Sequence, residues 1–150
     1  MLLSELLENI GEYKIFGEKN TETAEISGIC PDSKRIKPEE LYVAIDGVKN
    51  DGHKYISEAF SRGALAAVVS KSAIAEGRVP QNIECLNLIA VDDTRAAMAH
   101  LYSGFYGHSH KKIKIIGIPG TNGKTPVCRM LYEILTRAGH SCGLIGTTGS

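Results

Sequence analysis

The part of this sequence best suited to chemistry is residues 117–125, which read Gly-Ile-Pro-Gly-Thr-Asn-Gly-Lys-Thr. An apolar run over 112–117, typical of a buried strand, precedes it, and apolar residues at helical spacing follow it over 127–135. A glycine-rich turn from a strand into a helix directs backbone N–H groups and the positive end of the helix dipole at an anion. The pattern therefore predicts a phosphate-binding loop.

Two side chains of this loop have roles that follow from their chemistry. Lys124 is predicted to reach the β- and γ-phosphates of a bound nucleotide and to serve catalysis, and the Thr125 hydroxyl is predicted to ligate Mg²⁺. The strict P-loop pattern fails, however, because Ile118 stands where its first glycine belongs. The three-residue spacing of the glycines over 117–123 does not match a dinucleotide fingerprint either. A turn that merely joins a strand to a helix is the simpler alternative.

Composition excludes several classes of function. Lys and Arg number 17, and so do Asp and Glu, which gives a formal net charge of zero. Bulk electrostatic binding to nucleic acid or to an anionic membrane is therefore not expected. No apolar run approaches the roughly 20 residues of a membrane span, and Met1–Glu8 carries acidic residues where a signal peptide is basic. The four cysteines show no CxxC spacing, so we expect a cytoplasmic protein with reduced thiols.

Hydrophobic patterning predicts an α/β protein in two parts. Up to about residue 110, strands are predicted over 24–30, 41–45, 64–69 and 87–91, with helices at the N-terminus and over 53–62, 72–76 and 93–106. After a linker at 107–112, the predicted strand, loop, helix and a second strand at 141–145 form one βαβ unit. A parallel sheet needs more than two strands. We therefore expect residues 111–150 to begin a longer domain; the alternative is that both strands extend the first sheet.

Three blocks of sequence resemble the Mur ligase family. They are Asp32-Ser-Lys34 with 38–47 and 51–53, the segment 56–64, and Asp93–Tyr106 leading into the loop at 117–125. The resemblance spans nearly the whole chain, and both order and spacing agree. It implies a UDP-substrate domain at 1–110 and the start of a P-loop ATPase domain at 111–150. It also implies an ATP- and Mg²⁺-dependent amide ligase of peptidoglycan precursor synthesis, monomeric and cytoplasmic.

The resemblance also implies the site residues. The UDP-sugar is expected at Ser33, Val48, Lys49 and Asn50, where a serine hydroxyl, free N–H groups and a lysine suit a diphosphate. ATP is expected at Gly120, Thr121, Asn122, Gly123, Lys124, Thr125 and Pro126. Taken without the resemblance, Asp32-Ser33 reads as a turn cap and 49–52 as a hairpin turn. Pro119 and Pro126 stand where the family usually has threonine, and Pro126 removes an N–H from the phosphate loop.

Three functions remain open on the sequence. The first is a ligase that adds a diamino acid, meso-diaminopimelate or L-lysine, to UDP-MurNAc-L-Ala-D-Glu, with residues 1–150 inactive on their own. The second is a non-catalytic module that binds a UDP-sugar or nucleotide. The third is another ligase of the superfamily, either the enzyme that adds D-Ala-D-Ala or a folylpolyglutamate synthetase. The helix over 93–106 and Thr121-Asn122 favour the first.

Overall fold

The computed structural model describes residues 1–8, 10–17, 23–47, 50–80 and 86–146. The chain divides into two units, Met1–Lys112 and Ile113–Ser150. The first unit holds a five-stranded sheet, and within the described residues the second unit holds one long helix. This confirms the α/β class predicted from the sequence.

The sheet is parallel except at one edge. Its strands are β1 (Lys14–Phe16), β2 (Gly28–Cys30), β3 (Glu40–Val43), β4 (Ala66–Ser70) and β5 (Leu88–Val91), in the order β1-β5-β4-β3-β2. Strands β2 to β5 run parallel, whereas β1 pairs antiparallel with β5. The carboxyl ends of the four parallel strands therefore lie along a single edge, which is where open α/β sheets bind ligands.

Helices cover the sheet on both faces. The helices of this unit are α1 (Leu3–Leu7), α2 (Ile56–Ser61), α3 (Lys71–Ala75) and α4 (Thr94–Phe105), with 3-10 helices at Gly52–Tyr55 and Ser109–Lys111. Side chains alternate between the faces along each strand. Leu41 and Val43 pack with α1 and α4, whereas Tyr42 and Ala44 pack with α2 and α3. Burial on both faces explains why β4 and β5 are apolar without interruption.

Most elements of the first unit were predicted close to where they lie. The exception is β1, because Lys14–Phe16 is short and falls in a segment that reads as polar. The strand exists because the sheet edge at β5 offers it unpaired backbone groups. The predicted helix over 53–62 begins as the 3-10 helix and becomes regular only at Ile56.

The second unit corrects one prediction. Helix α5 (Lys124–Arg137) forms as expected, but residues 114–120 and 141–145 are not strands, so the predicted βαβ unit is wrong for the described residues. Ile113, Ile115 and Ile116 are exposed, as are the apolar side chains Val127, Met130 and Ile134 of α5. A strand is stable only when a neighbour pairs its backbone and its side chains are buried, and neither condition is met for these segments.

None of the helices in the described part of the chain has the length and apolar character needed to cross a membrane.

Candidate functional site

A cleft of about 400 Å³ opens beyond the carboxyl ends of β2 and β3. Two loops form it, residues 31–34 directly after β2 and, after β3, a second loop whose described residues are 44–47 and 50–52. Its lining residues are Pro31, Asp32, Ser33, Lys34, Tyr42, Ile45, Asn50, Gly52 and Tyr55. The lining thus combines apolar and aromatic side chains with hydroxyl, amide and charged groups.

The first loop is shaped by Asp32. Its carboxylate accepts a hydrogen bond from the Lys34 N–H at 3.0 Å, and its carbonyl accepts from the N–H of Arg35 at 3.0 Å and of Ile36 at 3.1 Å. Aspartate favours such tight turns because its short side chain bonds the backbone two residues on. The turn places Ser33 at the cleft, and buried Ile36 anchors it to the core.

The Ser33 hydroxyl is held by a residue of α2. It donates to Glu58 Oε2 at 2.9 Å, and the other oxygen of this carboxylate lies 3.3 Å from the Arg62 guanidinium. Arg62 also donates to the carbonyl of Lys34 at 3.3 Å. Helix α2 therefore fixes both the backbone of the first loop and the direction of its hydroxyl.

The second loop is closed at its base. Asp46 and Asp51 face each other in an isolated antiparallel bridge, and the Gly52 N–H donates to the Ile45 carbonyl at 2.9 Å. A Cβ at Gly52 would lie 2.7 Å from the Ile45 nitrogen, so only glycine permits this approach. The Tyr42 hydroxyl donates to the Gly52 carbonyl at 2.9 Å.

Tyr42 remains a hydrogen-bond donor at any ordinary pH. Burial, and then the nearby carboxylates of Asp32 and Glu58, raise the pKa of its hydroxyl to about 12. Since the phenol keeps its proton, its bond to Gly52 ties the second loop to β3.

Below the second loop lies a network centred on Asp51. This carboxylate contacts His53 Nδ1 at 2.6 Å and Arg78 at 2.8 Å, and Arg78 reaches Asp46 at 3.2 Å and Glu76 at 2.7 Å. His53 is buried, and its Nε2 accepts the Ser70 N–H at 3.0 Å. The ring proton therefore lies on Nδ1 and is donated to Asp51. The network joins the loop base to the end of β4.

The same contacts set the charge state of Asp51. Burial opposes its ionisation, but the hydrogen bonds from Arg78 and His53 outweigh burial and lower the pKa of this carboxyl from 3.8 to about 2. Asp51 is therefore ionised at every pH where the protein is expected to work.

Replacing Arg78 with methionine is expected to move acid unfolding to higher pH. A depressed folded-state pKa stabilises the fold above the unfolded pKa of about 4, and this contribution is lost as pH falls toward 2. Without Arg78 the folded-state pKa of Asp51 rises and the contribution shrinks. Circular dichroism across pH 2–5 measures the midpoint of acid unfolding. The control is Arg137→Met, which removes an exposed arginine that lies 3.9 Å from Glu133. Equal midpoints for Arg78→Met and the control would contradict the role given to Arg78.

The structure brings together some of the residues predicted for the UDP-sugar. Ser33 and Asn50 both line the cleft, whereas Val48 and Lys49 lie outside the described residues. Sequence reasoning missed Tyr42, Glu58 and Arg78. Tyr42 and Glu58 lie in blocks that carry the family resemblance but were given no role, and Arg78 lies outside those blocks.

The predicted phosphate loop opens α5, and two of its glycines have positive φ. Gly120 and Gly123 have φ of 145° and 75°, and Gly123 is the residue before the first turn of the helix. Such angles favour glycine. The Lys124 ammonium donates to the carbonyls of Gly120 and Thr121. It thus lies over the loop, where a phosphate would meet it together with the N–H groups of the helix start.

A match to a protein-family model identifies the family of this chain. The model described as the catalytic domain of the Mur ligase family matches residues 25–106, a range that contains the cleft and the network below it. The chain belongs to the Mur ligase family. This confirms the resemblance seen in the sequence.

Mur ligases of two kinds are similar to the chain. It is 41% identical to the UDP-N-acetylmuramoyl-L-alanyl-D-glutamate–2,6-diaminopimelate ligase of Caldanaerobacter subterraneus subsp. tengcongensis over 98% of its length, but spans 28% of that relative. A solved structure of a ligase with this name aligns over 99% of the chain and 28% of its own length, with a TM-score of 0.65 and 20% identity. The MurF ligase of Thermotoga maritima in complex with ADP aligns over 73% of the chain and 23% of its own length, with a TM-score of 0.52 and 24% identity. At these identities the two structures show the fold alone.

Proposed function

We propose that this chain is the substrate-binding part, and the beginning of the ATP-binding part, of an ATP-dependent amide ligase. The ligase adds a diamino acid, meso-diaminopimelate or L-lysine, to UDP-MurNAc-L-Ala-D-Glu in peptidoglycan precursor synthesis. The single observation that carries this proposal is the cleft at the ends of β2 and β3. It unites Ser33 and Asn50, expected from the family, in a chain 41% identical to a diaminopimelate ligase.

The nucleotide end of the substrate belongs in the cleft. Its apolar side chains suit the flat face of a base, and its polar groups suit ribose and the groups beyond it. The apolar lining residues are Pro31, Tyr42, Ile45 and Tyr55. Hydrogen bonds within the protein hold both loops: the Lys34 N–H donates to Asp32, Arg62 donates to the Lys34 carbonyl, and Tyr42 donates to the Gly52 carbonyl.

The phosphate loop fits ATP and Mg²⁺ by its donors. Gly120–Thr125 supplies N–H groups and left-handed glycines, Lys124 supplies a cation, and the Thr125 hydroxyl is the group that would ligate Mg²⁺. ATP when bound supplies the phosphoryl group that activates a carboxylate. The residues of this loop hold and orient its phosphates, with one N–H fewer at Pro126. The MurF ligase of Thermotoga maritima, which has a similar fold, was solved in complex with ADP.

The protein encoded by the whole reading frame that contains this chain tests the proposal. With ATP and UDP-MurNAc-L-Ala-D-Glu, we expect ADP release and a UDP-MurNAc-tripeptide by mass when meso-diaminopimelate or L-lysine is present. Residues 1–150 alone are expected to release no ADP. Product formed only from UDP-MurNAc-tripeptide and D-Ala-D-Ala would favour the other ligase. Substrate binding without ADP release would favour a non-catalytic module, and either result would overturn the proposal.

A further inference from the structure

The direction of the Ser33 hydrogen bond limits what this residue can offer a ligand. A hydroxyl has one proton, and Ser33 gives that proton to Glu58 Oε2 at 2.9 Å. An ionised carboxylate only accepts, so the direction is not reversible. What remains at Ser33 Oγ is lone pairs, and the ligand group that meets them must carry a proton.

Glu58 is itself held in place. Its second oxygen faces Arg62 at 3.3 Å, one turn along α2, and Arg62 also binds the Lys34 carbonyl. The arginine pairs with the carboxylate and fixes its rotation, while the turn at Asp32 fixes the serine. Ser33 is 6% exposed and lines the cleft, so it has little room to take another orientation.

This revises the expectation that Ser33 suits a diphosphate. Phosphate oxygens at neutral pH are acceptors, and an acceptor facing the lone pairs of Ser33 would be repelled. A UDP-sugar offers protons at the uracil N3–H and at the sugar hydroxyls. The rings of Pro31, Tyr42 and Tyr55 line the same cleft as Ser33, which favours the base over the ribose.

Resting on the proposed function, we infer that Glu58 is a specificity-determining positioning residue: it turns Ser33 into an acceptor for the N3–H of uracil. Cytosine carries no proton at N3, so it would set an acceptor against an acceptor at Ser33. An unpaired polar group in a buried site costs more than a missing contact. The Ser33–Glu58 pair therefore selects uridine nucleotides over cytidine nucleotides.

The test is a titration of residues 1–150 with UMP, CMP and 2′-deoxy-UMP. NMR signals of the Ser33 and Lys34 amides monitor it, so that only binding at the cleft is measured. The wild-type chain is expected to bind UMP roughly tenfold more tightly than CMP. Glu58→Gln, whose amide can donate to Ser33, frees the hydroxyl to donate to N3 of cytosine. It should bring the UMP to CMP ratio close to one. Glu133→Gln in α5 is the matched control and should leave the ratio unchanged.

Each other outcome overturns the inference in a recognisable way. Equal weakening of UMP and CMP by Glu58→Gln would show a merely structural role. If Glu58→Gln instead abolishes a preference for UMP over 2′-deoxy-UMP and keeps the preference for UMP over CMP, the proton that meets Ser33 comes from a ribose hydroxyl. A wild-type chain that binds UMP and CMP equally refutes the selection but leaves the proposed function intact. No UMP binding at the cleft would refute the proposed function as well.

Discussion

Replacing His53 with alanine is expected to lower the free energy of unfolding by about 3 kcal/mol, the largest stability effect of a single substitution near the cleft. The imidazole is 1% exposed and joins the Ser70 N–H to Asp51. Its loss leaves a cavity, an unpaired buried N–H and a carboxylate with one partner fewer. In a small domain this is a large share of the total stability.

Urea denaturation of the wild type and the variant measures this effect. His100→Ala is the matched control, because His100 is exposed in the regular helix α4 and its loss should change stability by less than about 0.5 kcal/mol. If His53→Ala does not fold at all, His53→Gln provides the reading, since its side-chain oxygen can still accept from Ser70. A His53→Ala variant within about 1 kcal/mol of the wild type would contradict the network.

Replacing Lys124 with methionine is expected to lower kcat/KM for ATP by on the order of 100-fold in the complete ligase. The ammonium lies over the loop, bound to the carbonyls of Gly120 and Thr121, and a phosphate would draw it away from them. Methionine keeps the length of the side chain and removes only its charge and donors.

A coupled assay of ADP release measures this loss, and Lys114→Met, exposed and ten residues earlier in the same unit, is the control. We expect the control to retain nearly full activity, because its side chain lies outside the loop. A Lys124→Met enzyme with kcat/KM within threefold of the wild type would exclude Lys124 from phosphate binding. Equal losses in both variants would point to a general effect of charge.

Continuous burial made much of the fold predictable. The apolar run Ala64–Val69 indicated a strand covered on both faces, and β4 is that strand. Asp93 indicated a helix start, and its carboxylate accepts from the N–H groups of Arg95 and Ala96. These signals are local in the sequence, so they predict the strand and the helix start without knowledge of the rest of the structure.

Pairing between distant segments was not predictable in the same way. The apolar residues over 112–117 carry the same local signal as β4, yet among the described residues they lack a neighbouring strand and remain exposed. Lys14–Phe16 carries almost no signal, yet it pairs because β5 offers an edge. Strand formation is decided by the partner as much as by the strand.

The candidate site likewise has features that followed from the sequence and features that depend on distant segments. Ser33 and Asn50 followed from the resemblance, and the structure places both at one cleft. The direction of the Ser33 hydrogen bond did not follow, because it depends on Glu58, 25 residues away, and on Arg62 behind it. Arg78 was also missed, since its three carboxylate partners meet only after the sheet has formed.

The most direct test of the account is where UDP-MurNAc-L-Ala-D-Glu binds on this chain, measured by NMR titration of the backbone amides. We predict saturable shifts at the two cleft loops, with the amides of residues 32–34 and 50–55 among the most affected. We also predict a loss of roughly tenfold or more in affinity for Ser33→Ala. No saturable shift at millimolar substrate, or shifts confined to residues far from both loops, would contradict the central claim that this cleft holds the nucleotide end of the substrate.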